Sequence, residues 1–190
     1  DMDSTLIPVE CIDEVAAAAG VGDRVAAITE RAMAGELDFE GALRERVALV
    51  AGLAEAALEE VHRTRVTLNP GAATLVRTMA AHGAHTMLVS GGYTFFADRV
   101  GAEAGFAEVR ANRLMIEDGR LTGRVAEPIL GKAAKLAALE EALAARGLAA
   151  SDALAVGDGA NDLAMIEAAG LGGAYRPKQL LAERADAVIR

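Results

Sequence analysis

The sequence predicts an α/β protein: a doubly wound (Rossmann-like) parallel sheet core with a helical cap insertion and a small β-flap. Three observations lead there. Two apolar runs, 84–89 and 152–156, end in Ser90-Gly91-Gly92 and Gly157-Asp158-Gly159, as buried strands do when they run into a turn. Stretches of helical periodicity surround them, at 71–82, 94–104, 132–145 and 162–169, and such alternation implies a parallel sheet covered on both faces. Residues 12–69, by contrast, are helical in pattern with no strand-like run, and Asn69-Pro70-Gly71 closes them with strong breakers.

These features divide the chain into a core of residues 1–12 and 70–190 and a helical cap insertion of residues 13–69. Asp1 is expected to end a strand whose body lies outside the sequence, so the chain is read as trimmed from a longer one. A second irregularity spans 113–123, where Asp118-Gly119 sits between short alternating segments. Such a pair is a hairpin signal, and it predicts the β-flap. In a doubly wound sheet, ligands gather at the carboxyl ends of the strands. Ser90 and Asp158 both fall there.

Composition narrows the function. The 190 residues are 53% hydrophobic and 25% charged, which describes a folded domain and not a disordered tail. Nineteen Lys and Arg stand against 28 Asp and Glu, a formal charge of −9, so nucleic acid and anionic membrane surfaces are poor partners. No apolar run approaches the roughly 20 residues that span a bilayer. The single cysteine, Cys11, excludes an internal disulfide framework and fits a reducing cytoplasm. A soluble, cytoplasmic protein acting on a small molecule is expected, and a homodimer is compatible with it.

The chemistry concentrates in four segments. In Gly157-Asp158-Gly159-Ala160-Asn161-Asp162, two glycines flank an acid at a strand end just before a helix. Asn161 or Asp162 can serve as a helix cap, but Asp158 has no capping task and reads as a metal ligand. In Asp1-Met2-Asp3, side chains two apart on an extended strand share a face. Two such carboxylates need a cation or a proton to neutralise them, and Mg²⁺ suits an all-oxygen site with Asp1, Asp3 and Asp158 as its ligands. Ser90-Gly91-Gly92 offers a hydroxyl and bare amides before a helix, a place for a phosphate oxygen or, equally, a plain N-cap. A cation is still needed. Lys132 falls on the line of Leu136, Leu139 and Leu143 and is preferred to its competitor Lys135, one turn on.

Together, in this order, these segments resemble the haloacid dehalogenase superfamily of phosphatases: Asp1-Met2-Asp3-Ser4-Thr5, Ser90-Gly91, Lys132 and the segment from Gly157 to Asp162 match its four motifs. The resemblance implies that Asp1 is the nucleophile that becomes an aspartyl-phosphate. It implies that Asp3 is general acid then base, with a backbone carbonyl on Mg²⁺, and that Asp158 is a metal ligand supported by Asn161 and Asp162. The physical logic agrees. A carboxylate attacks phosphorus only if the charges are screened, which Mg²⁺ and Lys132 would do while Ser90 and the Gly91 amide hold the transferring group.

The insertion points to the substrate. After Asp38, Phe39, Leu43, Val47 and Val50 form an apolar stripe that contains Arg46. Arg46 either snorkels or pairs structurally, or grips a substrate carboxylate with its fork. Glu10 is either a plain surface acid or the partner of a substrate ammonium. The residues from Asp1 to Glu14, Arg31-Ala32-Met33, Leu37-Asp38-Phe39-Glu40 and Leu43-Arg44-Glu45-Arg46-Val47 resemble the branch of the superfamily that acts on phosphoserine. That resemblance implies that Glu10 and Arg46 recognise the amino-acid part, that Met33 and Phe39 wall the pocket, and that Ser90, Gly91, Lys132 and Asn161 meet the phosphate. Transfer to or from homoserine is the rival activity. A receiver-type signalling domain is a poorer match, because it lacks the second acid and the helical lid. His62, His82 and His85 receive no role.

Overall fold

A computed structural model describes residues 1–177 and 179–190. The first third is helical: α1 (Cys11–Ala18), α2 (Gly22–Met33), α3 (Phe39–Leu49) and α4 (Glu55–Arg65). After Asn69-Pro70-Gly71, α5 (Ala72–Ala81) leads into β1 (Met87–Tyr93), α6 (Thr94–Ala104) and β2 (Glu108–Asn112). A hairpin of β3 (Leu114–Glu117) and β4 (Arg120–Val125) follows. Then come α7 (Lys132–Arg146), β5 (Leu154–Gly157), α8 (Leu163–Ala168), β6 (Leu171–Tyr175), α9 (Gln179–Ala182) and β7 (Ala187–Ile189).

The parallel character is as expected. β1 pairs with β2, and β5, β6 and β7 pair in that order, all parallel. The flap turns at Asp118 (φ 48°) and Gly119 (φ 70°), with Glu117 opposite Arg120. Two positive φ values in a two-residue loop match the right-handed twist of a hairpin, and Asp-Gly supplies them cheaply. The facing edges of β1 and β5 share no ladder. Between them lies an apolar cavity of about 760 Å³ whose lining includes Val76, Val89, Leu139, Leu143 and Val156. Asp1 stands at this cavity, its backbone nitrogen donating to the Val156 carbonyl at 3.1 Å.

Three strands escape the sequence pattern, for physical reasons. β2 (EVRAN) spends alternate positions on the ion-paired Glu108 and Arg110. β6 (LGGAY) is interrupted by glycine because α8 presses on it: a Cβ on Gly172 would meet the Ile166 carbonyl oxygen at 2.6 Å. β7 (AVI) is only three residues long and exposed.

The helical segment does not form a core of its own. Val15, Val25, Leu43, Val47, Leu58 and Val61 belong to one apolar cluster with Met2, Ile7, Leu88, Tyr93 and Phe96. It also grips the flap. Gly52 N–H donates to Leu121 O (2.8 Å), Leu121 N–H to Leu53 O (2.9 Å) and Glu55 N–H to Gly119 O (2.9 Å). Gly123, at φ 80°, packs so closely that a Cβ would stand 2.8 Å from that of Ala51. Asp38 starts α3 by accepting from the Gly41 amide at 2.7 Å. No helix among the described residues is long and apolar enough to cross a membrane.

Gly172→Ala should therefore cost about 1–3 kcal/mol by overpacking α8 on β6, lowering Tm by several degrees for a domain of this size. Calorimetry checks it, and an unchanged Tm would mean that the close approach is not held in solution.

Candidate active site

The carboxyl ends of the two parallel sheets meet the N-terminal segment, and there the acids converge. Carboxylate oxygens of Asp1, Asp158 and Asp162 lie within 4.8 Å of one another. Lys135 neutralises part of that charge. Its Nζ donates to Asp1 Oδ1 at 2.6 Å and to Asp162 Oδ1 at 2.5 Å, with the Lys135 side chain only 2% exposed. Thr5 Oγ1 donates to the other Asp1 oxygen at 3.1 Å, so both oxygens of Asp1 are held in a fixed orientation.

The sequence expectation of Lys132 gives way here to Lys135. Lys132 is exposed at the start of α7, whereas Lys135 and Ala138 are buried on its inner face. The inward line runs through Lys135, Ala138 and Ala142, because alanines let the helix approach closely. The leucine stripe used to choose Lys132 is rotated away from that line and only half-buried. A buried ammonium also needs carboxylate partners to offset its desolvation, and Lys135 has two.

Asp162 stands at the N-cap position of α8, but its side chain turns back to the loop and makes no cap hydrogen bond. Its Oδ2 accepts from the amides of Asp158 (3.3 Å) and Gly159 (3.2 Å), while Oδ1 takes Lys135. It folds the 158–162 loop back on itself and fixes the ammonium. Gly157 permits this, since a Cβ there would sit 2.4 Å from Asp162 Cγ. Asn161 is half-buried, its Oδ1 resting over Gly159.

Asp3 is separate from that trio. Of the expected metal set, Asp1 and Asp158 converge, and the third clustered carboxylate is Asp162; the Asp3 side chain accepts from the Cys11 amide at 3.4 Å instead. Its other oxygen packs on Gly92, where a Cβ would lie 2.9 Å from Asp3 Oδ2 and 3.1 Å from Ser90 Oγ. Asp3 and the buried Ser90 thus meet over one glycine, and Ser90 Oγ accepts from the Gly92 amide at 2.9 Å. Burial, reinforced by the negative charge of Glu10, pushes the Asp3 carboxyl up to about 7. A carboxyl poised near neutrality can give a proton and take one back. The Cys11 thiol is pushed up by burial as well and stays protonated.

The residues expected to meet the amino-acid part of the substrate and wall its pocket are Glu10, just before α1, and Met33, Phe39 and Arg46 in the helical segment. Glu10, exposed before α1, accepts a 2.6 Å hydrogen bond from Ser4 Oγ, with Ser4 held at φ 57°. Phe39, at the start of α3, lays its ring over two glycines of the core. A Cβ would stand 3.0 Å from it on Gly91 and 3.4 Å on Gly131. Arg46 is half-buried and donates from Nε to the Ala42 carbonyl of its own helix at 3.2 Å. Its charge also acts on Asp13 and Tyr93. Met33 is 75% exposed at the end of α2. Arg44 pairs with Glu127 at 2.8 Å.

Three carboxylates offer hard oxygen donors within 4.8 Å of one another, which fits a divalent cation that prefers oxygen. The arrangement therefore combines an oriented carboxylate, a second carboxyl poised near neutrality, a serine beside two glycines and an acidic cluster able to hold a metal ion.

The chain as a whole is similar to known proteins. The chain matches the family model of haloacid dehalogenase-like hydrolases over residues 1–167. It is 48% identical to a phosphoserine phosphatase of Polaromonas sp. strain JS666, across 100% of the chain and 82% of that protein. A phosphoserine phosphatase of Archaeoglobus fulgidus is 47% identical across 100% of the chain, which spans only 55% of that longer protein. A solved phosphoserine phosphatase in complex with its substrate superposes with a TM-score of 0.90 at 39% identity, covering 98% of this chain and 89% of the other. A phospho-aspartyl intermediate analogue of phosphoserine phosphatase gives 0.89 at 39% identity, with the same coverage.

Removing the ammonium should expose the repulsion it offsets. Without divalent cations, Lys135→Met is expected to lose about 3–5 kcal/mol in urea denaturation, the usual effect of orphaning buried charge. Lys132→Met should stay within about 0.5 kcal/mol of the parent. Equal losses would contradict the placement of Lys135.

Proposed function

The chain belongs to the haloacid dehalogenase-like hydrolases, and on that premise we propose that it is a cytoplasmic enzyme hydrolysing O-phospho-L-serine to L-serine and phosphate with Mg²⁺. One observation supports this above the others: Asp1 lies with both carboxylate oxygens oriented, by Lys135 and Thr5, inside a cluster shared with Asp158 and Asp162. Identity of 47% and 48% to phosphoserine phosphatases across the whole of this chain supports phosphoserine as the substrate.

In this reading the helical segment 13–69 acts as a cap on the core of residues 1–12 and 70–190. Ser90, the Gly91 amide and Lys135 hold the phosphoryl group, with Asn161 beside it. An Asp1 oxygen attacks phosphorus as the bond to the serine oxygen breaks, giving an aspartyl-phosphate. Asp3, whose pKa burial raises towards neutrality, gives its proton to the departing oxygen. It then takes a proton from the water that attacks the acyl phosphate, and phosphate leaves. Mg²⁺, held by Asp1, Asp158 and Asp162 with the Asp3 backbone carbonyl, would neutralise charge on the phosphoryl oxygens. Glu10 pairs with the substrate ammonium and Arg46 with its carboxylate, while Phe39 and Met33 wall the pocket. The cap excludes bulk water during the first transfer.

Asp1→Asn should abolish phosphate release from phosphoserine, and surviving turnover would remove Asp1 as nucleophile. Chelation with EDTA is expected to stop the reaction and added Mg²⁺ to restore it. Arg46→Ala should raise KM for phosphoserine by about tenfold or more, in line with a lost charged contact, and spare an aryl phosphate. Equal losses on both substrates would assign Arg46 a structural role instead.

A further inference from the structure

β1 and β2 are paired out of step beside the candidate site. Val89 lies opposite Arg110, yet the next pair is Tyr93 with Asn112, so Ser90, Gly91 and Gly92 bow out of the ladder. Backbone groups freed by such a bow need other partners. Asn112, 2% exposed at the end of β2, provides one: its Nδ2 donates to the Gly91 carbonyl at 2.9 Å. The same amide group reaches a third segment, donating to Leu130 O at 3.1 Å and accepting from Leu130 N–H at 2.7 Å. Both donors and the acceptor of the side chain are engaged.

The two segments it joins are the ones that the chemistry needs together. Gly91 belongs to the phosphate-facing loop. Leu130 and Gly131 lead directly into α7, whose first turn ends at Lys135. Phe39 of α3 lies across Gly91 and Gly131 at once, so the glycines tied by Asn112 are also the floor on which the cap residue rests. Nothing in the four motifs includes Asn112, and it does not reach the carboxylate cluster.

We propose that Asn112 is a positioning residue that sets the spacing between the Ser90–Gly91 loop and the start of the helix bearing Lys135. A buried side-chain amide with all its hydrogen bonds made is stiff, and loss of one partner strands the others. Asp at this position would keep the shape and the bond from Leu130 N–H. It would lose both donors and set a carboxylate against two carbonyl oxygens.

The inference rests on the phosphatase reading, and the two fail separately. If the parent chain releases no phosphate from phosphoserine, the reading itself fails. If it does, Asn112→Asp should lower kcat by about 10–100-fold, the effect of displacing a catalytic group by around an ångström. The loss should be equal for phosphoserine and an aryl phosphate, with KM changed by less than about threefold. Val109→Ala, a packing change on the same strand, serves as control when matched for loss of Tm. A kcat within twofold of the parent, or an equal loss in the control, would overturn the proposal. Should Asn112→Asp not fold, hydrogen exchange on the parent chain decides: inorganic phosphate should slow exchange at the Leu130 amide, and an unchanged rate overturns the coupling.

Discussion

One buried ammonium organises this molecule. Lys135 draws Asp1 from one end of the chain and Asp162 from the other into contact, and neither carboxylate could stay buried and charged beside the other without it. The cluster also includes Asp158, so three carboxylates gather at one point. Such an oxygen-rich site suits a divalent cation and, through it, a dianionic substrate that the overall charge of −9 would otherwise repel.

Glycine makes the convergence sterically feasible. Gly157 admits the Asp162 carboxylate and Gly92 admits Asp3 and Ser90. Gly91 and Gly131 let Phe39 come down from the helical segment. At each of these positions the absent Cβ is replaced by a functional side chain, which is why the strand ends carry glycines where packing alone would favour larger residues. The environments then divide the labour between carboxylates. Asp1 accepts hydrogen bonds from Lys135 and Thr5, while Asp3, half-buried beside Glu10, is pushed towards its protonated form. Two carboxyls in one site with opposed environments suit a nucleophile and a proton donor.

The helical segment is bound to both the sheet and the flap. It shares the main apolar cluster with β1, and its 51–55 turn forms backbone hydrogen bonds with the β4 side of the hairpin. The flap and the helices are therefore joined directly, and Arg44 with Glu127 adds an exposed ion pair across the junction. Exposed pairs of this kind contribute little stability. The apolar contacts and backbone bonds hold the helices against the sheet and the flap.

Much of this was legible in the residues. Alternating strands and helices, the helical run to Asn69, the Asp-Gly hairpin and the acids at strand ends are local patterns, because backbone periodicity and turn chemistry are written within a few neighbouring positions. β2, β6 and β7 were not legible, since ion pairs, a pressing helix and brevity replaced the apolar alternation that marks a strand. Lys135 was weighed and passed over for Lys132 for the same kind of reason: the inner face of α7 is decided by how closely a helix can approach a sheet, and alanines permit an approach that leucines prevent. Asn112 carries no local signal at all. Its task exists only because a bowed strand and a distant loop each present unpaired backbone to the same point in space, a coincidence that tertiary packing creates and sequence spacing cannot express.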